Sequence, residues 1–166
     1  MKKYLSVLLI IVTVFMLTGC STKEDPDAQR FVEKDFEITL NKGFVKKELA
    51  GIEYYYENQD MYVGVTVNNE SKQLFENAGV DFPDDVKGYA EFVIKANRLT
   101  DTKVVTKGNY AQFSYTKTAN GKEYYYYGTT HKSGDTYWMI NFYCNSNKAE
   151  EYQEQFAKWA DSIIVK

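Results

Sequence analysis

Few side chains in this sequence are placed to do covalent or metal chemistry. His131 is the only histidine, and it sits beside Lys132 where an expected strand runs into a turn. A Ser-His-Asp arrangement would have to use it as the base, and no G-x-S-x-G elbow presents a serine. The plainer reading is a solvated strand-end histidine. No H-E-x-x-H stretch and no cysteine pair offer ligands for zinc. Cys144 continues the alternation of Trp138, Ile140 and Phe142, which marks it as a small buried hydrophobe rather than a nucleophile. Asp81, Asp84 and Asp85 carry the oxygen ligands that calcium takes, but without an EF-hand loop, and they suit the positive end of a helix dipole better. Phosphate loops are absent. These residues make no catalytic constellation, so a non-enzymatic protein without cofactor or metal is expected.

The second cysteine stands in different company. Lys2 and Lys3 precede an apolar run over residues 5–17, and Leu17-Thr18-Gly19-Cys20 follows directly. A positive start, a short apolar stretch and small residues before a cysteine make an export signal. Its apolar run is shorter than the ~20 residues that span a bilayer core. Leu-x-Gly-Cys resembles the bacterial lipobox. That resemblance implies a signal peptide over residues 1–19, diacylglyceryl attachment to the Cys20 thiol and cleavage just before it. Two acyl chains anchor stably where one holds only marginally. The expected location is the outer face of a bacterial cytoplasmic membrane, reached through lipid on Cys20.

Removing the first 19 of 166 residues leaves 147, enough for one domain. The mature chain carries 18 basic and 23 acidic residues, a net charge of −5. That balance gives no electrostatic reason to bind nucleic acid. With Cys20 lipidated, Cys144 has no partner for an intrachain disulfide, and stability must come from the core. Fourteen of 15 tyrosines lie in the mature chain, a composition suited to pleated, half-buried surfaces.

Residues 20–34 are charged and polar around Pro26, with Phe31 and Val32 as the apolar exceptions, and read as a lipidated N-terminus and flexible tether of about 20 Å r.m.s. span. The single domain then covers residues 35–166. Alternation predicts strands over 36–40, 52–57 and 61–67. Asn69 suits the cap of a short helix over 70–77, and a second helix starts around Pro83. Strands follow over 102–107, 110–118, 122–132 and 136–144, separated by turn sequences that include Asn120-Gly121, a strong hairpin signal. Asn147 and Glu150 resemble a capping box for a closing helix with the stripe Ala149, Tyr152, Phe156, Trp159, Ile163. The order describes an α+β domain: a mainly antiparallel sheet of six to seven strands flanked by helices.

The stretch from Phe36 to Phe44, FEITLNKGF, together with this element order, is similar to PsbP-like domains, the family of photosystem proteins, a Ran-binding protein and many bacterial lipoproteins. Asn41 departs from the proline often found before the turn. The resemblance implies an α/β/α sandwich and carries no site residues. What remains is Tyr54-Tyr55-Tyr56 and Tyr124-Tyr125-Tyr126-Tyr127. Alternation separates Tyr124 and Tyr126 from Tyr125 and Tyr127. These tyrosines are either core or a surface for a protein or glycan. Tyr125, Tyr127, Tyr137 and Tyr143 are the candidate binding surface. The leading expectation is a membrane-anchored binding or accessory module for an envelope protein or complex; the alternative is a lipoprotein holding a small molecule or glycan in an aromatic pocket between sheet and helices.

Overall fold

A computed structural model describes residues 26–68, 72–77 and 79–166. The expectations for residues 1–19, for Leu17, Thr18, Gly19 and Cys20, and for Asn69 as a helix cap lie outside these residues. Among the described residues no helix is long and apolar enough to cross a membrane.

The described residues form ten strands and three α-helices in the order β1 (Ala28–Val32), β2 (Phe36–Asn41), β3 (Val45–Leu49), β4 (Ile52–Glu57), β5 (Met61–Asn68), α1 (Lys72–Asn77), α2 (Val86–Ala96), β6 (Val105–Lys107), β7 (Tyr110–Ala119), β8 (Lys122–Ser133), β9 (Thr136–Asn145), α3 (Ala149–Asp161) and β10 (Ile164–Val165). Seven of the strands form one antiparallel sheet in the order β3-β4-β5-β9-β8-β7-β6, and β1-β2-β10 form a smaller one. The fold is the expected α+β class. Asn120 and Gly121 both take positive φ, 51° and 74°, the two-residue turn whose twist matches the β7–β8 hairpin.

Period-two alternation divides the long strands between two cores. Val63, Val65, Ile140, Phe142, Cys144, Tyr125 and Tyr127 face α3 through Phe156, Trp159 and Ala160, with Phe36, Ile38 and Leu40 of β2 closing the same layer. Trp159 Nε1 donates to Asn41 Oδ1 at 3.1 Å, and the Thr39 amide donates to Ser162 Oγ, just past α3, at 3.0 Å. On the other side Tyr89 and Ala90 of α2 pack on Ala111, Phe113, Tyr137 and Met139. α2 starts where Asp85 accepts a hydrogen bond from the Gly88 amide at 2.7 Å, a side-chain cap of the kind that favours Asp at this position. Gly128 lies close beneath this layer. A Cβ there would come within 2.9 Å of Met139 Cε and 3.0 Å of Phe113 Cζ.

Four readings of the sequence are corrected. Residues expected as tether contain β1, which pairs with β2 from Ala28↔Asn41 to Val32↔Glu37. Phe31 packs on Tyr56 with ring centroids 4.6 Å apart, and Arg30 pairs with Glu37, which Lys166 also reaches at 2.5 Å. Those two hydrogen-bonded cations, Lys166 first, hold the Glu37 carboxyl below the usual carboxylate range. Two apolar residues were enough because a partner strand was waiting. β3 was missed because all five of its residues are exposed, so it shows no alternation; Lys46 and Lys47 give it the charged character of a guarded edge. α3 is entered through a 3-10 turn, Ser146–Lys148, so its N-cap is Lys148, which makes no capping hydrogen bond, and not Asn147. His131 is not solvated: it is 2% exposed, because β8 runs on past it to Ser133 and its alternate residues fall under the α3-side layer.

Candidate functional site

Of the four tyrosines expected to line a binding surface, three are core. Tyr125 and Tyr127 are 9% and 5% exposed and face α3. Tyr137, 1% exposed, lies under α2, where its hydroxyl donates to the Pro83 carbonyl at 2.6 Å. Tyr143 alone is half-buried. The sequence alternation placed Tyr137 and Tyr143 on one face correctly. It could not show that α2 covers only the Tyr137 end.

Register then brings together tyrosines that are far apart in the chain. Tyr62 on β5 pairs with Tyr143 on β9, Tyr143 with Tyr126 on β8, and Tyr126 with Tyr115 on β7. All four are half-buried. Their rings stack in series: Tyr62–Tyr143 at 4.9 Å and 19°, Tyr143–Tyr126 at 5.0 Å and 23°, Tyr126–Tyr115 at 4.8 Å and 2°. Tyr124 meets Tyr62 and Tyr143 edge-on. Such centroid spacings equal the separation of neighbouring strands, ~4.7–4.9 Å. Rings lying flat on the sheet, side by side, would have centroids farther apart than this. The four rings therefore overlap face to face along the row, leaning across the strands. Each stacked pair contributes about 0.5–1.5 kcal/mol beyond its buried area, which makes the row stiff.

The hydroxyls are used unevenly. Tyr115 donates to Asn141 Oδ1 at 3.2 Å, and Tyr143 donates weakly to Tyr55 at 3.5 Å, whose own hydroxyl donates to Glu57 Oε2 at 3.0 Å. Tyr62, Tyr124 and Tyr126 make no hydrogen bond through their hydroxyls among the described residues. Burial pushes the phenols of Tyr62, Tyr115, Tyr126 and Tyr143 further above an ordinary value that already keeps them protonated at neutral pH. Beside the row, between α2 and the sheet, lies a cleft of about 340 Å³ lined by Thr66, Phe92, Ala96, Tyr115 and Asn141 among others.

The groups the sequence offered for nucleophilic chemistry lie on the opposite side of the sheet. Cys144 is fully buried and burial raises its thiol to about 11. His131 stacks on Tyr110 at 5.1 Å, shares a hydrogen bond with Thr129 Oγ1 at 3.2 Å, and is lowered by burial from 6.5 to about 4. The unfolded chain therefore takes up this proton first as pH falls, and stability present above pH 6.5 is lost progressively down to about 4. Denaturant unfolding at a series of pH values should show a loss on the order of 3 kcal/mol from this group across that window. A His131→Phe variant should show a correspondingly flatter profile. Identical slopes for the two proteins would refute the assignment.

No protein-family model and no curated protein matches the chain. Solved structures do. The cyanobacterial PsbP protein (CyanoP) of Synechocystis superposes with TM-score 0.56 at 10% identity, over 90% of this chain and 99% of its own. A Bacteroides thetaiotaomicron protein gives 0.57 at 11% identity over 84% of this chain, which spans about half (49%) of that longer one. The Ran-binding protein Mog1p of Saccharomyces cerevisiae gives 0.50 at 11% identity, over 83% of this chain and 95% of its own. At such identities the likeness concerns fold alone, and the fold is PsbP-like.

Proposed function

We propose that the protein is a lipid-anchored, extracytoplasmic and non-enzymatic binding module, serving an envelope protein or complex, and that its contact face is the tyrosine row. The row itself carries the reading. Stacking needs only the rings, and phenylalanine would stack as well, yet Tyr62, Tyr124 and Tyr126 carry hydroxyls that bond to nothing among the described residues. Tyrosine is the residue type that combines apolar contact area with a polar tip at interfaces, and a stiff row loses little entropy when it is covered. Lipid on Cys20 would hold the domain at a membrane surface.

Site-specific photocrosslinking in intact membranes tests it. With p-benzoylphenylalanine in place of Tyr126, a discrete adduct is expected that excess unmodified protein competes away. The same group in place of the exposed Lys158 on α3 should give none. Equal patterns at both positions would remove the basis for the reading.

A second reading, a small-molecule or glycan-binding lipoprotein, is favoured by the cleft beside Tyr115. Its volume, about 340 Å³, falls at the low end of ligand sites, ~300–1,000 Å³. A thermal-shift screen against envelope fragments discriminates: a stabilising fragment whose effect is lost in Ala96→Trp, which fills the cleft, would favour it over a protein partner.

A further inference from the structure

The smaller sheet, β1-β2-β10, buries one face and leaves the other open. Phe31 of β1 and Val165 of β10 pack toward the α3-side core with Phe36, Ile38 and Leu40. Alternation therefore turns Arg30, Val32, Ile164 and Lys166 outward, and Arg30 and Lys166 both pair with Glu37 on that side. In register, Val32 and Ile164 lie on either side of Glu37. Val32, 60% exposed, is the most exposed large apolar residue among those described, and Ile164 is 49% exposed. The charges around them are layered. The Glu37 side chain lies underneath, 9% exposed, while those of Arg30 and Lys166 above it keep 62% and 46% of their surface in solvent. Lys34, between β1 and β2, is 89% exposed beside Asp35. Three cations against the two carboxylates leave this face net positive, on a mature chain whose net charge is −5.

The N-terminal segment enters the domain at this same sheet. Eight residues separate Cys20 from Ala28, the first of β1, a reach of at most ~28 Å when fully extended. We infer, building on the lipid-anchor reading, that the outer face of β1-β2-β10 rests on an anionic bilayer surface. Val32 and Ile164 then sit at the headgroup–acyl boundary, and Arg30, Lys34 and Lys166 lie among the phosphates. Two aliphatic side chains and three cations make a weak site by themselves. A short tether, however, turns docking into an intramolecular step at an effective concentration in the mM range. Attraction to anionic lipid adds to the apolar area covered, and long basic side chains lay their stems on apolar surface while their heads stay at headgroup level. Other surfaces fit worse. α3, on the same side of the main sheet, exposes Glu150, Glu151 and Glu154, which anionic headgroups repel. The tyrosine row lies on the opposite face of the main sheet from the α3-side core. This docking therefore turns the row away from the bilayer, where an envelope partner can reach it.

Fluorescence quenching in nanodiscs tests the docked face. The full chain, extracted from membranes and returned to discs containing phosphatidylglycerol, carries a nitrobenzoxadiazole label at Val32→Cys, at Ile164→Cys, at Lys117→Cys on the tyrosine side or at Lys158→Cys on α3; native Cys144 is buried and stays unlabelled. With lipids bearing a doxyl group near the top of the acyl chain, positions 32 and 164 should lose about half of their emission or more, since an interfacial face sits ~5–10 Å deep. Positions 117 and 158 should lose less than about a tenth. Lys34→Glu, or discs of phosphatidylcholine alone, should weaken the quenching at position 32 about twofold or more. Equal quenching at all four positions would mean a domain that tumbles on its tether and would overturn the inference. So would an absence of quenching at 32 and 164, or quenching indifferent to lipid charge. The mass of the same protein separates the two readings: lipid on Cys20 without quenching at 32 sinks the docked face alone, whereas no lipid on Cys20 sinks the anchor and the face with it.

Discussion

Phe142→Ala is expected to cost about 3–5 kcal/mol of unfolding free energy. Phe142 is fully buried at the centre of the α3-side core, with ring centroids 5.8 Å from Phe156, 6.0 Å from Trp159 and 6.3 Å from Tyr127. Three aromatic neighbours, two anchored on α3 and one on β8, cannot all move in to fill the void. Domains of this size hold ~5–15 kcal/mol in total, so the variant sits near the edge of folding. Its melting temperature should drop by about 10–15 °C. In urea the midpoint should fall with the slope unchanged. Phe142→Leu, which retains most of the volume, should lose far less. A Phe142→Ala loss under about 1 kcal/mol would mean that the two layers are not closed on each other at this ring.

The largest expected change in behaviour comes from a residue outside the described ones. Cys20→Ser is expected to abolish the lipid-bearing N-terminal mass and to shift the protein from the membrane toward the soluble fraction. Each buried acyl CH₂ contributes about 0.8 kcal/mol, and a single chain already holds only marginally. Losing the thiol loses both chains of a diacylglyceryl group together. Mass spectrometry of protein extracted from membranes decides the matter. A Met1 terminus or an unmodified Cys20 on that material would end the lipid-anchor reading, whatever the domain binds. Fold and tyrosine row should be unchanged in the variant.

Much of the architecture was legible because it rests on local signals. Ile52–Glu57 was read to the residue, and β5 and β7–β9 to within a residue or so at their ends, since alternation over long strands and Asn-Gly at a turn are written into neighbouring residues. The elements that were missed, β1, β3 and β10, are short or fully exposed and exist through their partners. His131 shows the same limit on one residue. Its neighbours Lys132 and Ser133 look like a strand end, yet Tyr110 on β7 covers its ring.

The candidate site was harder to read for a geometric reason. Alternation gave the two faces of Tyr124 to Tyr127 correctly. Which face is open depends on where α2 stops along the sheet, and the row depends on the register of four strands whose tyrosines sit at 62, 143, 126 and 115. No local pattern contains that. Tyr125, Tyr127 and Tyr137 were chosen for residue type, and packing buried them.

The pairing of β1 has a mechanical side. β1 has β2 as its single neighbour in the sheet, joined through five register pairs and the clasp of Arg30 on Glu37. Any tug on the chain ahead of residue 28 is borne there first. Should β1 peel away, about 17 Å of extended chain is released, while β2 stays joined to β10 and seated against α3. The seven-stranded sheet with its tyrosine row then rides unloaded behind a strand that yields before it does.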